Sequence, residues 1–363
     1  MSAIRPPQPD QEKLLSDISI LAEKIGKPIR LMEVCGTHTV AIFRSGLRAR
    51  LPKSLTLISG PGCPVCVTAQ GDIDLAIALA DRPDVIVATY GDMMRVPGNK
   101  SSLDREAAKG RSVKVVYSAA DCIDIALANP DNKVVFLSVG FETTAPATAA
   151  MLKRAKSEKV DNLFILALNK LVPPALRALT ASPRLTLDGF IMPGHVSTII
   201  GSAPYRFIAD ELHIACAITG FSPRDIIAGI WMLLTQIAED RADVAIQYDG
   251  VVRPEGNPTA LAMLAEVFDT AEAEWRGLGV IPASGLIPNA EYRDFEASLA
   301  LEFGRPKSEP IGGCLCGDVL AGFIAPPDCP HFRRACTPET PLGPCMVSSE
   351  GTCGAYFRHY SEG

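Results

Sequence analysis

Along the first two-thirds of the chain, short solid runs of Val, Ile and Leu alternate with longer stretches whose apolar residues recur at helical spacing. A solid apolar run marks a strand buried on both faces, which is the pattern of a parallel sheet covered by helices. The pattern predicts strands over 30–34, 55–59, 85–90, 113–117, 134–139, 163–168 and 189–192. Helices are expected over 11–25, 73–80, 120–128, 146–157 and 174–179. The expected class is α/β, with doubly wound parallel sheets. The strands before residue 220 suit two small domains better than one sheet, so the reading divides the chain at 1–125 and 126–240, two domains facing a cleft. After residue 240 Gly and Pro become frequent, in VVRPEGNP, GLGVIPASGLIPNA and RPKSEPIGG. Helices are expected there over 258–276 and 292–302, within a third, helical and irregular domain over 241–363.

Four segments of unusual composition sit just past predicted strands: Cys-Gly-Thr-His, Gly-Pro-Gly-Cys-Pro-Val-Cys, Gly-Phe-Glu-Thr-Thr-Ala-Pro and Pro-Gly-His-Val-Ser-Thr. Open α/β sheets bind ligands at the carboxyl ends of their strands, so these segments can line one crevice. Charge narrows the partners. Lys plus Arg number 35 against 41 Asp plus Glu, a net −6 with no basic block, which argues against a nucleic-acid footprint. The longest uncharged run, Gly189 to Tyr205, is interrupted by Pro193, Gly194 and His195 and is too short to span a bilayer. The N-terminal MSAIRPPQPDQEKLL has no apolar core of an export signal, so a cytoplasmic chain is expected. Neither a P-loop nor a dinucleotide fingerprint is present.

Cysteine changes the picture most. Of 11 cysteines, Cys314, Cys316, Cys329, Cys336, Cys345 and Cys353 crowd into the last 50 residues. In a reducing compartment, thiols at short spacings read as metal ligands or redox groups before structural disulfides. Six thiols among irregular, Pro-rich loops suit Cys₄ ligation of a [4Fe–4S] cluster, with a zinc site as the structural alternative. Two thiols left beside a cluster would make a disulfide that it can reduce. Cys63-Pro-Val-Cys66 places two thiols in one turn, close enough to oxidise, to hold a metal, or simply to pack; a redox pair of this kind typically opens a helix, which 72–80 would supply a few residues late. Cys35 and His38 share a strand-to-loop turn, where a soft thiolate suits iron and the imidazole can tune it or move a proton. A Cys–His protease pair and a buried strand-end cysteine are the competing readings. Glu142 can take protons, or its segment can be an ordinary helix start capped by Thr143 or Thr144. His195 reads as a site residue or a core histidine, the Gly91–Arg95 segment fits the same rim, and Cys122 and Cys216 read as structural.

The segments MEVCGTHT, SGPGCPVCV, TYGDMMRVPG, VGFETTAP, NKLVPPALRAL, DGFIMPGHVSTIIG, VVRPEGNP, WRGLGVIPASGL, CLCGDVLAG and PETPLGPCMVSSEGTCGAYF run in order from Met32 to Phe357. On these the sequence resembles the HypD family, iron–sulfur maturation factors of [NiFe]-hydrogenases. The resemblance implies two α/β domains and a third carrying a [4Fe–4S] cluster on cysteines spaced x14, x6 and x16, which Cys314, Cys329, Cys336 and Cys353 match. It leaves Cys316 and Cys345 as a redox-active disulfide near the cluster, an arrangement likened to ferredoxin–thioredoxin reductase. It makes Cys35 the anchor for the iron of a transient Fe(CN)₂CO unit, shared with the small chaperone HypC, with Cys63 and Cys66 relaying electrons or thiol exchange nearby. His38, Glu142 and His195 fall at matching motif positions. Cyanide would come from HypE docking on a monomer of this chain complexed with HypC. The alternative is a stand-alone iron–sulfur dithiol–disulfide oxidoreductase.

Overall fold

The computed structural model describes residues 10–301 and 312–360. The first nine residues of the segment read for export, and Glu302 at the end of an expected helix, lie outside them. Among the described residues eleven strands form three sheets. β1 (Ile29–Glu33), β2 (Leu55–Ser59), β7 (Gly189–Pro193), β8 (Ala215–Thr219) and β9 (Val244–Ile246) make a five-stranded sheet in the order β2-β1-β7-β8-β9, all parallel. β3 (Val85–Thr89), β4 (Val113–Val115), β5 (Lys133–Gly140) and β6 (Leu163–Asn169) make a second parallel sheet in the order β4-β3-β5-β6. β10 (Phe268–Trp275) and β11 (Gly279–Pro288) form an antiparallel hairpin.

The two parallel sheets and the Cys-rich segment are those expected, but the domain boundary is not. β4 and β5, either side of residue 125, belong to one sheet, while β1, with β2 at its outer edge, pairs with a strand more than a hundred residues later: Leu31 of β1 lies opposite Gly189 of β7. The division at 1–125 and 126–240 is therefore corrected to one sheet inserted within the chain path of the other. A solid apolar run shows that a strand is buried without showing which strand lies beside it. Two downstream expectations also change. The helix placed over 258–276 ends at Val267, and Phe268–Trp275 is strand, its inner and outer residues alternating as it pairs with β11. The helix placed over 292–302 resolves into a 3₁₀ turn, Arg293–Phe295, and a short helix, Ala297–Ala300.

Alternation along β1 shows how the layers close. Ile29 and Leu31 face a core beneath the five-stranded sheet that includes Leu14, Ile18 and Leu233, from the helices Gln11–Ile25 and Pro223–Ala238. Met32 and Val34 face the opposite way, into a core shared with Val135, Leu137 and Val139 of β5 and Leu166 and Leu168 of β6. The alternate residues of β5, Val134 and Phe136, meet helix Ala145–Glu158 on the far side. One continuous apolar layer thus joins the two sheets, and it also takes in Cys63, Cys66, Cys316 and Cys345. Among the described residues no helix is long and apolar enough to cross a membrane.

A thiol crevice and a six-cysteine hollow

Cys35 is the residue at which β1 gives way to helix Gly36–Arg44, and it is buried. β2 leads in the same direction into the Gly60–Cys66 loop, and the Gly36 N–H donates to Gly62 O at 3.0 Å, tying the two loops together. Gly62 must be glycine: a Cβ there would lie 2.5 Å from Cys35 Cα. The CxxC pair does open a helix, but it is the short Pro64–Val67 and not the later one expected. Cys63 caps it, its Sγ accepting the Cys66 N–H at 3.2 Å, and Cys63 and Cys66 are joined in a disulfide.

Burial sets the protonation of this crevice. It pushes the Cys35 thiol up to about 11, with the nearby Glu350 carboxylate adding to the effect. It holds His38 down to about 4. The His38 ring is buried, with Nε2 3.0 Å from Gly220 O and 2.9 Å from Thr219 Oγ1. A carbonyl can only accept, so Nε2 carries the proton and Nδ1, buried without a partner, carries the lone pair. Phe221 lies between two imidazoles, its ring 4.8 Å from that of His38 and 3.9 Å from that of His195. His195 is exposed on the outer face of this stack, so it is no core histidine.

Glu142 lies past β5 and is buried. Neither Thr143 nor Thr144 supplies a side-chain cap to helix Ala145–Glu158. Instead Glu142 Oε1 accepts the N–H of Val172, the first residue of helix Val172–Thr180, at 2.9 Å, while Oε2 has no partner. Burial raises this carboxyl to about 7. Buried Tyr205 joins the parts: burial raises its hydroxyl, and the charges of Glu142 and, more weakly, Cys35 add to that. Cys122 and Cys216 are wholly buried in the cores, as expected of packing residues.

The sequence reading missed several contributors. Thr219 ends β8, a strand it did not find, with Gly220 and Phe221 directly after it, and Ser348 and Glu350 arrive from the Cys-rich segment. Gly36 has no room for a Cβ because the Glu350 side chain and carbonyl lie against it, and Thr37 Oγ1 donates to Glu350 Oε1 at 2.5 Å. The Ser-Ser-Glu run next to a cysteine cluster was the available signal; only the fold shows that it reaches Cys35.

All six C-terminal cysteines line one small apolar hollow of about 20 Å³, with His331, Phe332, Leu342 and Met346. Cys314 and Cys316 are hydrogen-bonded to each other, as are Cys345 and Cys353, whose N–H also donates to Cys345 Sγ at 3.3 Å. The Leu342 N–H donates to Cys336 Sγ at 3.4 Å. Cys316 and Cys345 are free thiols here. Among the described residues no three ligating side chains converge on a point as a single metal ion requires. Six thiols around one apolar hollow, with backbone N–H groups on the Cys336 and Cys345 sulfurs, are a donor set of the kind that suits an iron–sulfur cluster. Helix Pro344–Val347, carrying Cys345, packs on helix Pro64–Val67, so the hollow abuts the disulfide of the crevice.

The model of the HypD family, described as the hydrogenase formation hypA family, matches residues 10–360. A hydrogenase maturation factor HypD2 of Bradyrhizobium diazoefficiens is 45% identical over 341 residues, covering 92% of this chain and 90% of its own. Hydrogenase maturation factors HypD of Rhodobacter capsulatus and Escherichia coli are 44% and 42% identical over 355 and 352 residues, covering 95% and 96% of this chain and 94% of each of their own. With the motif loops gathered at the strand ends and a match along nearly its whole length, the chain belongs to the HypD family of hydrogenase maturation factors.

Proposed function

We propose that this chain is a cytoplasmic, redox-active scaffold on which, with the chaperone HypC, the Fe(CN)₂CO unit of a [NiFe]-hydrogenase is assembled, cyanide arriving from HypE. Cys35 anchors the iron, losing its proton as the metal binds, since the thiolate is the ligand. His38 and Glu142 furnish a lone pair and an acid in the same buried crevice. Cys314, Cys329, Cys336 and Cys353 hold a [4Fe–4S] cluster, which when bound supplies electrons one at a time. Cys316 and Cys345 stand beside it as a dithiol, and the Cys63–Cys66 pair changes redox state between that dithiol and the crevice.

The observation that carries this reading is the row of sulfur: six thiols around one hollow, Cys345 on a helix packed against the Cys63–Cys66 helix, and Cys35 held against the loop of that pair. The test is infrared spectroscopy of the chain purified anaerobically with HypC. Bands of metal-bound CN and CO are expected, and they vanish in Cys35→Ala; their persistence in that variant would refute the anchor role. Turnover of a protein disulfide without HypC, and no diatomic bands, would instead identify a stand-alone dithiol–disulfide oxidoreductase.

A further inference from the structure

The Cys-rich segment meets the disulfide at one buried hydroxyl. Ser348, just past helix Pro344–Val347, is 1% exposed, and its Oγ lies 3.4 Å from Cys63 Sγ. The same Oγ donates to Asp92 Oδ2 at 2.9 Å and accepts the Glu350 N–H at 3.2 Å. Asp92 Oδ2 also accepts from Ser349, from N at 3.0 Å and from Oγ at 2.9 Å. Asp92 sits in the 3₁₀ turn after β3 and is only partly buried, whereas Cys63 and Cys66 are buried. Among the described residues Ser348 is the one side-chain hydroxyl within bonding reach of the bridge.

A buried disulfide cannot be opened by electrons alone. Two sulfurs become thiols, and a thiolate left in an apolar layer is strongly disfavoured, so protons must reach the site with the electrons. We propose that Asp92 and Ser348 are the proton route of the Cys63–Cys66 pair, Ser348 exchanging a proton directly with Cys63 and Asp92, a positioning residue acting through Ser348, exchanging with solvent. This rests on the reading above that the pair changes redox state.

With a dithiol as reductant, one thiolate attacks Cys66 Sγ. The S–S bond breaks, its electron pair goes to Cys63, and Cys63 takes the Ser348 proton while Ser348 is reprotonated through Asp92. The second thiol of the reductant, held beside the bridge in the mixed disulfide, then displaces Cys66 and passes its own proton to the departing Cys66 sulfur. The reductant leaves as a disulfide, and the two protons its thiols lost equal the two gained. In reverse, the Cys63 thiol gives its proton to Ser348 and Ser348 gives its own to the Asp92 carboxylate, leaving Cys63 as the attacking thiolate. The hydrogen bond from Ser348 to Asp92 already points that way.

The test follows opening of the bridge in the full-length protein by dithiothreitol, with acid quench, alkylation and mass spectrometry of the peptide carrying Cys63 and Cys66. Rates are compared in H₂O and D₂O at matched reductant thiolate concentration. A positioned proton-transfer group typically contributes roughly 10²–10⁴-fold, and water replaces part of that, so Ser348→Ala is expected to slow opening at least about tenfold. The variant also loses the solvent isotope effect of the wild type. Asp92→Asn, which keeps the shape of the contact, lowers the rate and the isotope effect in the same sense. Opening at the wild-type rate in Ser348→Ala, or slower opening that keeps its isotope effect, overturns the relay and leaves the redox reading intact. A bridge that dithiothreitol never opens in the wild type refutes the redox reading itself, and the relay with it.

Discussion

Replacing Glu142 by Gln should make the protein more stable in alkali and leave it nearly unchanged in acid. The carboxyl is buried, one oxygen bonded to the Val172 N–H and the other without a partner, so folding favours its neutral form. Burial raises it from 4.5 to about 7. Below pH 4.5 the folded and unfolded chains both hold the proton and the group contributes no pH dependence. Between 4.5 and about 7 the folded chain keeps a proton that the unfolded chain has released, so stability falls as pH rises. Above about 7 both have lost it, and the folded state carries a buried charge. Each pH unit of that interval is worth about 1.4 kcal/mol, which amounts to about 3 kcal/mol in all.

Glutamine keeps the oxygen that accepts from Val172 and cannot ionise, so it mimics the protonated acid at every pH. Every other titrating group is common to the two proteins and cancels in the difference. The measurement is the urea midpoint of wild type and Glu142→Gln at pH 5 and pH 9, referred to a shared slope. The variant should match the wild type within about 1 kcal/mol at pH 5, since the two side chains are then near-isosteric, and exceed it by up to about 3 kcal/mol at pH 9. A difference that stays flat between the two pH values would refute the reasoning, because it would mean that the carboxyl titrates alike in the folded and unfolded chain. The functional corollary is that near neutrality this crevice holds a carboxyl poised between acid and base.

Glu33 is wholly buried, and its charge is met by Arg48 Nη2 at 3.1 Å and the Ser59 hydroxyl at 2.7 Å; Arg48→Ala should cost about 3–5 kcal/mol in urea unfolding by leaving the carboxylate without its cation, and adding Glu33→Gln should recover part of the loss. Phe221→Ala should open one face of the His38 ring to water and raise its pKa from about 4 toward the ordinary 6.5, read from the pH dependence of the imidazole NMR signals; an unmoved titration would mean that other atoms keep water out.

Local pattern carried much of the fold. The expected helix over 11–25 and strand over 55–59 match the structure to the residue, because both are fixed by apolar spacing within one element. What escaped was set at long range or by short cues. The pairing of β1 with β7 depends on where the chain returns after a whole inserted sheet, and no local run encodes that. β8, sequence ACAIT, was overlooked because Ala and Cys dilute its apolar signal, although all five residues are buried. Helix Pro223–Ala238 was equally unclaimed, yet Ser222-Pro-Arg-Asp225 forms a capping box that spells its start. Missing β8 meant missing Thr219 to Phe221, and with them the partners of His38. The thiol loops themselves were legible because Gly, Pro and Cys past a strand end are costly to place unless a site needs them.

The same burial that makes Cys122 and Cys216 inert also acts on Cys35. Cys122 is pushed up to about 12 and Cys216 higher still, and Cys35 reaches about 11. Protonation alone therefore does not separate the crevice cysteine from the packing ones, and it speaks against the protease reading of Cys35 and His38. A Cys–His protease pair acts as thiolate and imidazolium, whereas here burial favours the neutral thiol and the neutral ring together. What sets Cys35 apart is its surroundings: a strand end, the free Nδ1 of His38 in the same turn, and the Glu350 carboxylate, whose charge also disfavours the thiolate. Hydrogen bonds from the His38 and Thr37 backbone and from the Thr37 side chain favour the thiolate without offsetting burial, whereas a bound cation would, since a coordinating thiol gives up its proton outright to the metal's charge. A thiol kept neutral until a metal arrives is protected from oxidation and from stray electrophiles. Those are the properties that the anchor role proposed for Cys35 requires.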